Sequence, residues 1–378
     1  MILLKGYMKV LLVSPKDPKK PSNLKFLMGG ESIYTQSLLS HPPKGVSYTY
    51  FSDALKNHEI EYTYWQPLLS LLIKFRILPP DVGYQCLKLN KKFDLIHSHG
   101  YCLKLDGDIK PPVVLSDSSS NYLFLKDYVG WSIGKIKARY AFRKILAQKL
   151  HIFDQNLNLD SAPLIVWSEF AKKTHLDLGI DRKKVIVIPP GIAKFEARKT
   201  RNNSCTILFV GTWFKRKGGE ILITAYKELK KKYPNVDLIL IGEIQKDIFL
   251  SGKIFHKNYV PREKLIRDIF PKADILVDVP PVAEGYGLVV LEAASLGIPA
   301  IVSSVYALPE IVEDRKTGFV IGPNNVSALV DALEKLIKNP TLLEKMGRSA
   351  KKRFIKNYWA EMTNKKLLKV YKEASQNA

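Results

Sequence analysis

The chain has 378 residues, of which 46% are hydrophobic and 25% charged; this excludes a disordered tail and exceeds one ordinary core, so two globular domains are expected. Its three cysteines, Cys86, Cys102 and Cys205, have no CxxC spacing and read as reduced thiols, which excludes a disulfide scaffold. The net charge of +23 is spread, with 30 basic against 17 acidic residues over 1–200 and 29 against 19 beyond; it attracts nucleic acid, anionic lipid or nucleotide diphosphates without selecting one.

Met1-Ile-Leu-Leu4 is cut short by Lys5, too early for a signal-peptide core. Lys9 to Pro15 is a buried-strand run, followed after a basic loop by Met28-Gly29-Gly30-Glu31 and a helix from about Ser32 to Ser40. Strand, glycine pair and helix start together make a mouth that suits an anion. Val46 to Phe51 is a second strand. The apolar run Leu68 to Leu78 carries Lys74 and Arg76 and stops at Pro79-Pro80, too short and too charged to span a bilayer. Phe93 to Gly100 reads as a strand ending at His97 and His99. These rings share a strand face, but no third ligand follows at metal spacing. The carboxyl edge of a parallel sheet, where ligands bind, is the better reading.

Asp106-Gly107-Asp108 reads as a turn and Val113 to Ser118 as a strand. Over 121–153 a helical stretch sets Trp131, Ile133, Ile136, Tyr140 and Ile145 roughly on one side, with Lys135, Lys137, Arg139, Arg143 and Lys144 between them. That pattern is an amphipathic core helix with a solvated charged face, or alternatively an interfacial helix on anionic lipid. Strands at Leu164 to Glu169 and Val185 to Gly191 flank another helix. Lys194 to Asn203 is polar and aperiodic, the expected hinge.

Beyond the hinge, strands over 206–210, 237–242, 274–279, 299–304 and 319–322 alternate with helices over 219–233, 262–270, 288–296 and 326–338. Such alternation predicts a doubly wound parallel sheet. Two basic helical segments follow Pro340, the last from Tyr358-Trp359 with Leu367, Leu368 and Tyr371 on one side. The first strand of this half ends in Gly211-Thr-Trp-Phe-Lys-Arg-Lys-Gly-Gly219, which puts Lys215, Arg216 and Lys217 on a strand-to-helix turn where a cation can grip a diphosphate. The helix over 288–296 leaves the turn Glu284-Gly285-Tyr286-Gly287 and is almost wholly apolar apart from Glu292. Its glycines and its positive dipole end favour a phosphate. Glu292 lies five residues past Gly287, roughly 7 to 8 Å along the axis, within reach of a nucleotide's ribose diol. A buried carboxylate without a partner costs several kcal/mol, so Glu292 is expected to face a cleft, a partner or a ligand, with a ribose diol the favoured one. An internal arginine paired with it would count against the transferase reading itself.

Glu284 and Glu292, inside E-G-Y-G-L-V-V-L-E-A-A-S-L-G-I-P, together with the basic turn after the first strand, resemble the signature of family-four retaining glycosyltransferases, the glycosyl transferases group 1 with the GT-B fold. The resemblance implies an α/β chain of two Rossmann-like doubly wound domains facing across a cleft. An acceptor-binding domain would span 1–193 and a nucleotide-sugar-binding domain 204–357, with the segment 358–378 packed back on the first. It implies metal-independent transfer of a hexose from a nucleotide-diphosphate sugar, UDP or GDP, to a glycan, lipid-linked or other small acceptor, without a further cofactor. It assigns Glu284 to the sugar hydroxyls, and Arg216, Lys217 and the amides of Gly287, Leu288 and Val289 to the diphosphate. Glu292 goes to the ribose, the backbone at Tyr259-Val260 to the base, Gly30 to the glycine loop opposite the donor, and His99 to the acceptor side near the transferred sugar.

The chain departs from the pattern at Thr212, where many members place the arginine, and at Ser116 and Asp117, where members usually carry His or Asp. Glu310 is read as structural. A cytoplasmic protein, peripheral at the inner membrane face and without a specific nucleic-acid partner, is the implied setting. The rival readings are a non-catalytic basic protein binding nucleic acid or membrane through its charge, and a GT-B sugar-nucleotide epimerase.

Overall fold

Uninterrupted apolar runs, the mark of strands buried on both faces, put a six-stranded parallel sheet at the centre of each of two units. This is a computed structural model that describes residues 7–14, 30–75, 83–118, 122, 124–155, 157, 162–196, 204–211, 213–244, 254–282 and 285–376. Unit 1 comprises 1–191 and 360–378, unit 2 comprises 192–359.

Unit 1 opens with β1 (Met8–Val13), α1 (Gly30–Ser40), β2 (Val46–Tyr50) and α2 (Phe51–Lys56). It continues through β3 (Ile60–Tyr62), α3 (Trp65–Lys74), β4 (Gly83–Leu89), β5 (Leu95–His99), β6 (Tyr101–Asp106) and β7 (Val113–Asp117). Next come α4 (Ile133–Leu150), β8 (Leu164–Val166), α5 (Glu169–Asp177) and β9 (Val185–Val187). The main sheet runs β2-β1-β5-β7-β8-β9, parallel throughout, with Leu12 opposite His97 and His99 opposite Ser116. Chain order reverses between β1 and β5, the topological switch point at which open α/β sheets hold their ligands. A small separate sheet, β3-β4-β6, was not expected from the sequence; its strands are short or carry polar residues within the run, as do Gln85 and Lys88 in β4 and Lys104 and Asp106 in β6. β6 delivers Asp106 to a turn at Gly107, whose φ is +85°.

The helical stretch over 121–153 is not one helix. A π-helical turn, Phe124–Tyr128, precedes Gly130 at φ +75°, and α4 starts afresh with the Ser132 hydroxyl accepting from the Lys135 amide at 3.3 Å. Its buried face is Ile136, Tyr140, Arg143 and Ala147, a spacing of four, three and four that tracks the 3.6-residue period, whereas Ile133 and Ile145 are exposed. Arg143 thus belongs to the interior and not to the solvated face, and it forms a 2.6 Å ion pair with the fully buried Asp154.

Unit 2 runs β10 (Cys205–Val210), α6 (Gly219–Lys232), β11 (Val236–Ile241), β12 (Ile254–Lys257), the single turn α7 (Arg262–Lys264) and β13 (Ile275–Asp278). It closes with α8 (Leu288–Ser295), β14 (Ala300–Ser303), α9 (Leu308–Ile311), β15 (Gly318–Ile321), α10 (Val326–Lys338) and α11 (Pro340–Asn357). The order β12-β11-β10-β13-β14-β15 is that of a dinucleotide-binding sheet, with its switch point between β10 and β13. Phe209, Leu222, Tyr226, Ile301 and Leu333 meet in the core on one side of this sheet. The helix expected over 262–270 is instead α7 followed by a π-helical turn, Leu265–Ile269, and a tight turn, Phe270–Lys272, where Pro271 removes a backbone donor.

The last helix, α12 (Ala360–Gln376), belongs to unit 1. Asn364 donates to the His41 carbonyl at 2.6 Å, and Tyr371 is fully buried. Among the described residues no helix is long and apolar enough to cross a membrane.

Candidate functional site

In unit 2 the segments after β10 and β13 converge at the switch point. After β10 the chain turns at Gly211, and a Cβ there would come within 2.9 Å of Lys217 Cγ, so the lysine stem lies directly over this glycine. Gly218, at φ +81°, caps α6 with its backbone against β13; a Cβ would meet the Val279 carbonyl oxygen at 2.0 Å. Lys217 is thereby held with its Nζ 3.8 Å from Asp278, a carboxylate side chain only 2% exposed at the end of β13. On the other side of Asp278 stands Gly287, φ +86°, which starts α8 with no side chain capping its first-turn amides. A cation at the end of one strand and an uncapped helix start at the end of its neighbour form an arrangement suited to a phosphate. Arg216 stacks its guanidinium 5.2 Å from the ring of Trp213, which is exposed.

Leu288 is buried and Val289 half-buried at the start of α8. Glu292, two-thirds along, is 3% exposed but not unpartnered. Arg262 Nε donates to its Oε1 at 2.7 Å, and the same guanidinium lies 5.2 Å from the Phe195 ring. Burial pushes the Glu292 carboxyl above its ordinary pKa, against the opposing pull of Arg262. The expectation that a ligand's ribose diol compensates this carboxylate is therefore corrected, and the argument for a transferase built on that expectation fails. The sequence hid the partner because Arg262 sits thirty residues upstream, at the start of a different element, α7. Its nearest signal was its place two residues past Val260, which is half-buried beside the exposed Tyr259. Glu284 lies outside the described residues.

In unit 1, Gly30 is the first residue of α1. His99 ends β5 at the switch point, 1% exposed, with its ring stacked on Trp167 at 5.2 Å and 8°. Its Nδ1 is 2.8 Å from Ser116 Oγ, while its Nε2 finds no hydrogen-bond partner among the described residues. His97, the other ring on that strand face, reaches Ser116 Oγ at 2.7 Å and the Tyr371 hydroxyl at 2.5 Å. Burial pushes both imidazoles down to about 3, so both are neutral. Ser116 thus joins two rings that the sequence placed on one strand, and Tyr371 enters from a segment the sequence reading had given no chemical role.

The profile of the family described as Glycosyl transferases group 1 matches residues 192–353. The chain is 30% identical to an uncharacterised glycosyltransferase of Methanocaldococcus jannaschii over 75% of its own length and 76% of that protein. It is 29% identical to the D-inositol 3-phosphate glycosyltransferase of Paenarthrobacter aurescens over 46% of its own length, and spans about half, 48%, of that relative. Among solved structures, Anabaena HepE, determined with UDP and glucose, superposes with a TM-score of 0.65 at 14% identity, covering 97% of this chain and all (100%) of that one. That likeness gives the fold, GT-B. With the extended match at 30% identity and the profile over most of unit 2, the chain belongs to the glycosyl transferases group 1.

Proposed function

We propose that the protein is a retaining glycosyltransferase that moves a hexose from a nucleotide-diphosphate sugar, UDP or GDP, to a hydroxyl of a glycan, lipid-linked or other small acceptor. In the reaction the bond between the anomeric carbon and the diphosphate breaks, a bond to the acceptor oxygen forms on the same face, and the acceptor proton leaves with the departing phosphate. The observation that carries this reading is the pairing at the switch point of unit 2, where Lys217 after β10 and the uncapped start of α8 after β13 both border Asp278. Negative charge develops on the leaving diphosphate, and fixed donors there stabilise it without reorganisation. Arg216, Lys217 and the amides of Gly287, Leu288 and Val289 take that role, and the backbone at Val260 meets the base. Glu292, oriented by Arg262, accepts from the ribose diol. Glu284 binds the sugar hydroxyls, and Gly30 and His99 contribute from unit 1. Support from outside the chain is the UDP and glucose found with HepE.

Calorimetric titration with UDP, GDP and ADP tests the reading. Micromolar binding of one diphosphate is expected, weakened about tenfold or more in Lys217→Ala, the worth of one charge-assisted contact. Equal affinity in the variant would remove Lys217 from the site, and no binding of any of the three would remove the function.

A membrane-bound acceptor has its own observation. α3 and the end of α4 pack on one core through Trp65, Leu69, Leu146 and Leu150. The same two helices leave Leu68, Leu71, Phe142 and Ile145 exposed, beside Lys144 and Lys149. Basic and apolar side chains so mixed suit an anionic lipid surface. Cosedimentation should be strong with phosphatidylserine vesicles and lost with phosphatidylcholine; equal retention on both would count against it.

A further inference from the structure

A chain of hydrogen bonds, buried beyond its half-buried Tyr48 end, runs through unit 1 from β2 by way of the last helix to the end of β5. The Tyr48 and Tyr371 hydroxyls are 2.9 Å apart, Tyr371 reaches His97 Nδ1 at 2.5 Å, His97 Nε2 reaches Ser116 at 2.7 Å, and Ser116 reaches His99 Nδ1 at 2.8 Å. We infer that Tyr371, on α12, is a positioning residue that fixes through His97 and Ser116 which nitrogen of His99 carries the proton. The inference rests on the proposed reading that His99 faces a substrate.

Hydrogen counting sets the direction of the chain. A serine hydroxyl has one hydrogen to give and two lone pairs, and a neutral imidazole has one N–H and one bare nitrogen. Ser116 bridges two imidazole nitrogens and has one hydrogen to give. If it donated to His97, the sequence would reverse through Tyr371 and put the Tyr48 hydrogen outside the network. Donation to His99 Nδ1 keeps every hydroxyl hydrogen on a partner inside it: Tyr48 gives to Tyr371, Tyr371 to His97 Nδ1, His97 Nε2 to Ser116 and Ser116 to His99. Burial keeps both rings neutral, at about 3, so one proton on each ring is all there is to place.

The result is a His99 whose Nε2 carries the hydrogen. That nitrogen has no protein partner among the described residues, and a buried donor in that state is stabilised by any oxygen that reaches it. His99 is then a fixed donor, suited to a sugar hydroxyl or ring oxygen and unable to act as a base. The ring plane is set independently by Trp167, stacked at 8°, so the tyrosine controls the proton and the tryptophan the orientation.

The test is nitrogen NMR of the full chain labelled at its 7 histidines, with the His99 signals identified by their loss in His99→Gln. The parent should show His99 protonated on Nε2 and bare on Nδ1. Tyr371→Phe keeps the ring and removes the hydroxyl; both His97 and His99 should then become tautomer mixtures. Ser116→Ala should free His99 and make it insensitive to a further Tyr371→Phe change, the non-additivity expected of one network. A parent His99 protonated on Nδ1, or His99 signals unmoved by Tyr371→Phe in a chain with an unaltered melting curve, would overturn the proposal. Should Tyr371→Phe fail to fold, Ser116→Ala carries the test alone, and an unmoved His99 tautomer overturns it. With UDP-glucose as probe, turnover should fall about fivefold in Tyr371→Phe at unchanged affinity for UDP, the factor that one hydrogen bond is worth. If the tautomer results hold while His99→Gln keeps full turnover, the reading of His99 fails and the relay stands.

Discussion

Arg262 and Glu292 show how a single pairing changes what a carboxylate can do. Removing the guanidinium leaves a charge 3% exposed with no compensation, so Arg262→Ala should destabilise the protein by about 3 kcal/mol. Glu292→Gln keeps the shape and discards the charge, so it should cost far less, and in its background Arg262→Ala should lose most of its effect. Urea unfolding of the four chains measures this directly; additive losses would show the pair to be uncoupled. The sign with pH follows from the direction of the shift. The folded carboxyl holds its proton more tightly than the unfolded one, so its contribution is most favourable at acid pH and is lost as pH rises through the raised pKa. Glu292→Gln should flatten that part of the stability profile. The sequence showed an apolar helix with one carboxylate inside it, and this was correct; it could not show the partner, because a pairing between two elements thirty residues apart leaves no periodic trace.

At the level of elements, two glycines set the position of the basic turn, and they differ in tolerance. A Cβ at Gly211 meets the flexible stem of Lys217, whereas one at Gly218 meets the Val279 backbone at 2.0 Å in a left-handed conformation. Gly211→Ala should therefore fold and bind UDP more weakly, by displacing Lys217 alone. Gly218→Ala should lose several degrees of melting temperature as well, since the strain adds to the clash. Thermal melts beside UDP titrations separate the two, and equal stability of both variants would sink this distinction. Elements with a long regular pattern were legible: the alternation over 206–338 delivers the parallel strands in sequence, and α8 lies where its apolar run put it. The small sheet of unit 1, β12 and the change of helix type within 262–270 were not. Their strands are short, partly polar and set by neighbours far along the chain, while 265–269 stays helical, as expected, but in a π-helical turn.

For the whole molecule, the two units differ in how they meet acid. Unit 1 buries His97, His99 and His175, each pushed down to about 3 by burial, against about 6.5 when unfolded. Between those values the unfolded chain binds more protons, so stability falls as pH drops, by up to about 1.4 kcal/mol per pH unit for each ring. Unit 2 holds one histidine, His256, on the Gly242 carbonyl in a half-buried setting. Acid should therefore unfold unit 1 first, which tryptophan fluorescence from Trp167 against Trp213 can follow; simultaneous loss of both signals at all pH values would contradict it. The net charge of +23 adds a second lever, since salt screens whatever general attraction it exerts on an anionic ligand. Charge named a class of partner, and only the switch-point geometry says where one would bind.

The return of α12 to unit 1 makes unit 2 an insertion. Residues 192–359 form one unbroken segment, while the first unit is assembled from stretches before and after it. During synthesis the earlier stretch must therefore wait, with the place of Tyr371 unfilled, until the ribosome has made everything in between. The segment it awaits supplies Tyr371 to the hydrogen-bond chain that leads to His99, so that chain can close only after the whole inserted unit has been synthesised.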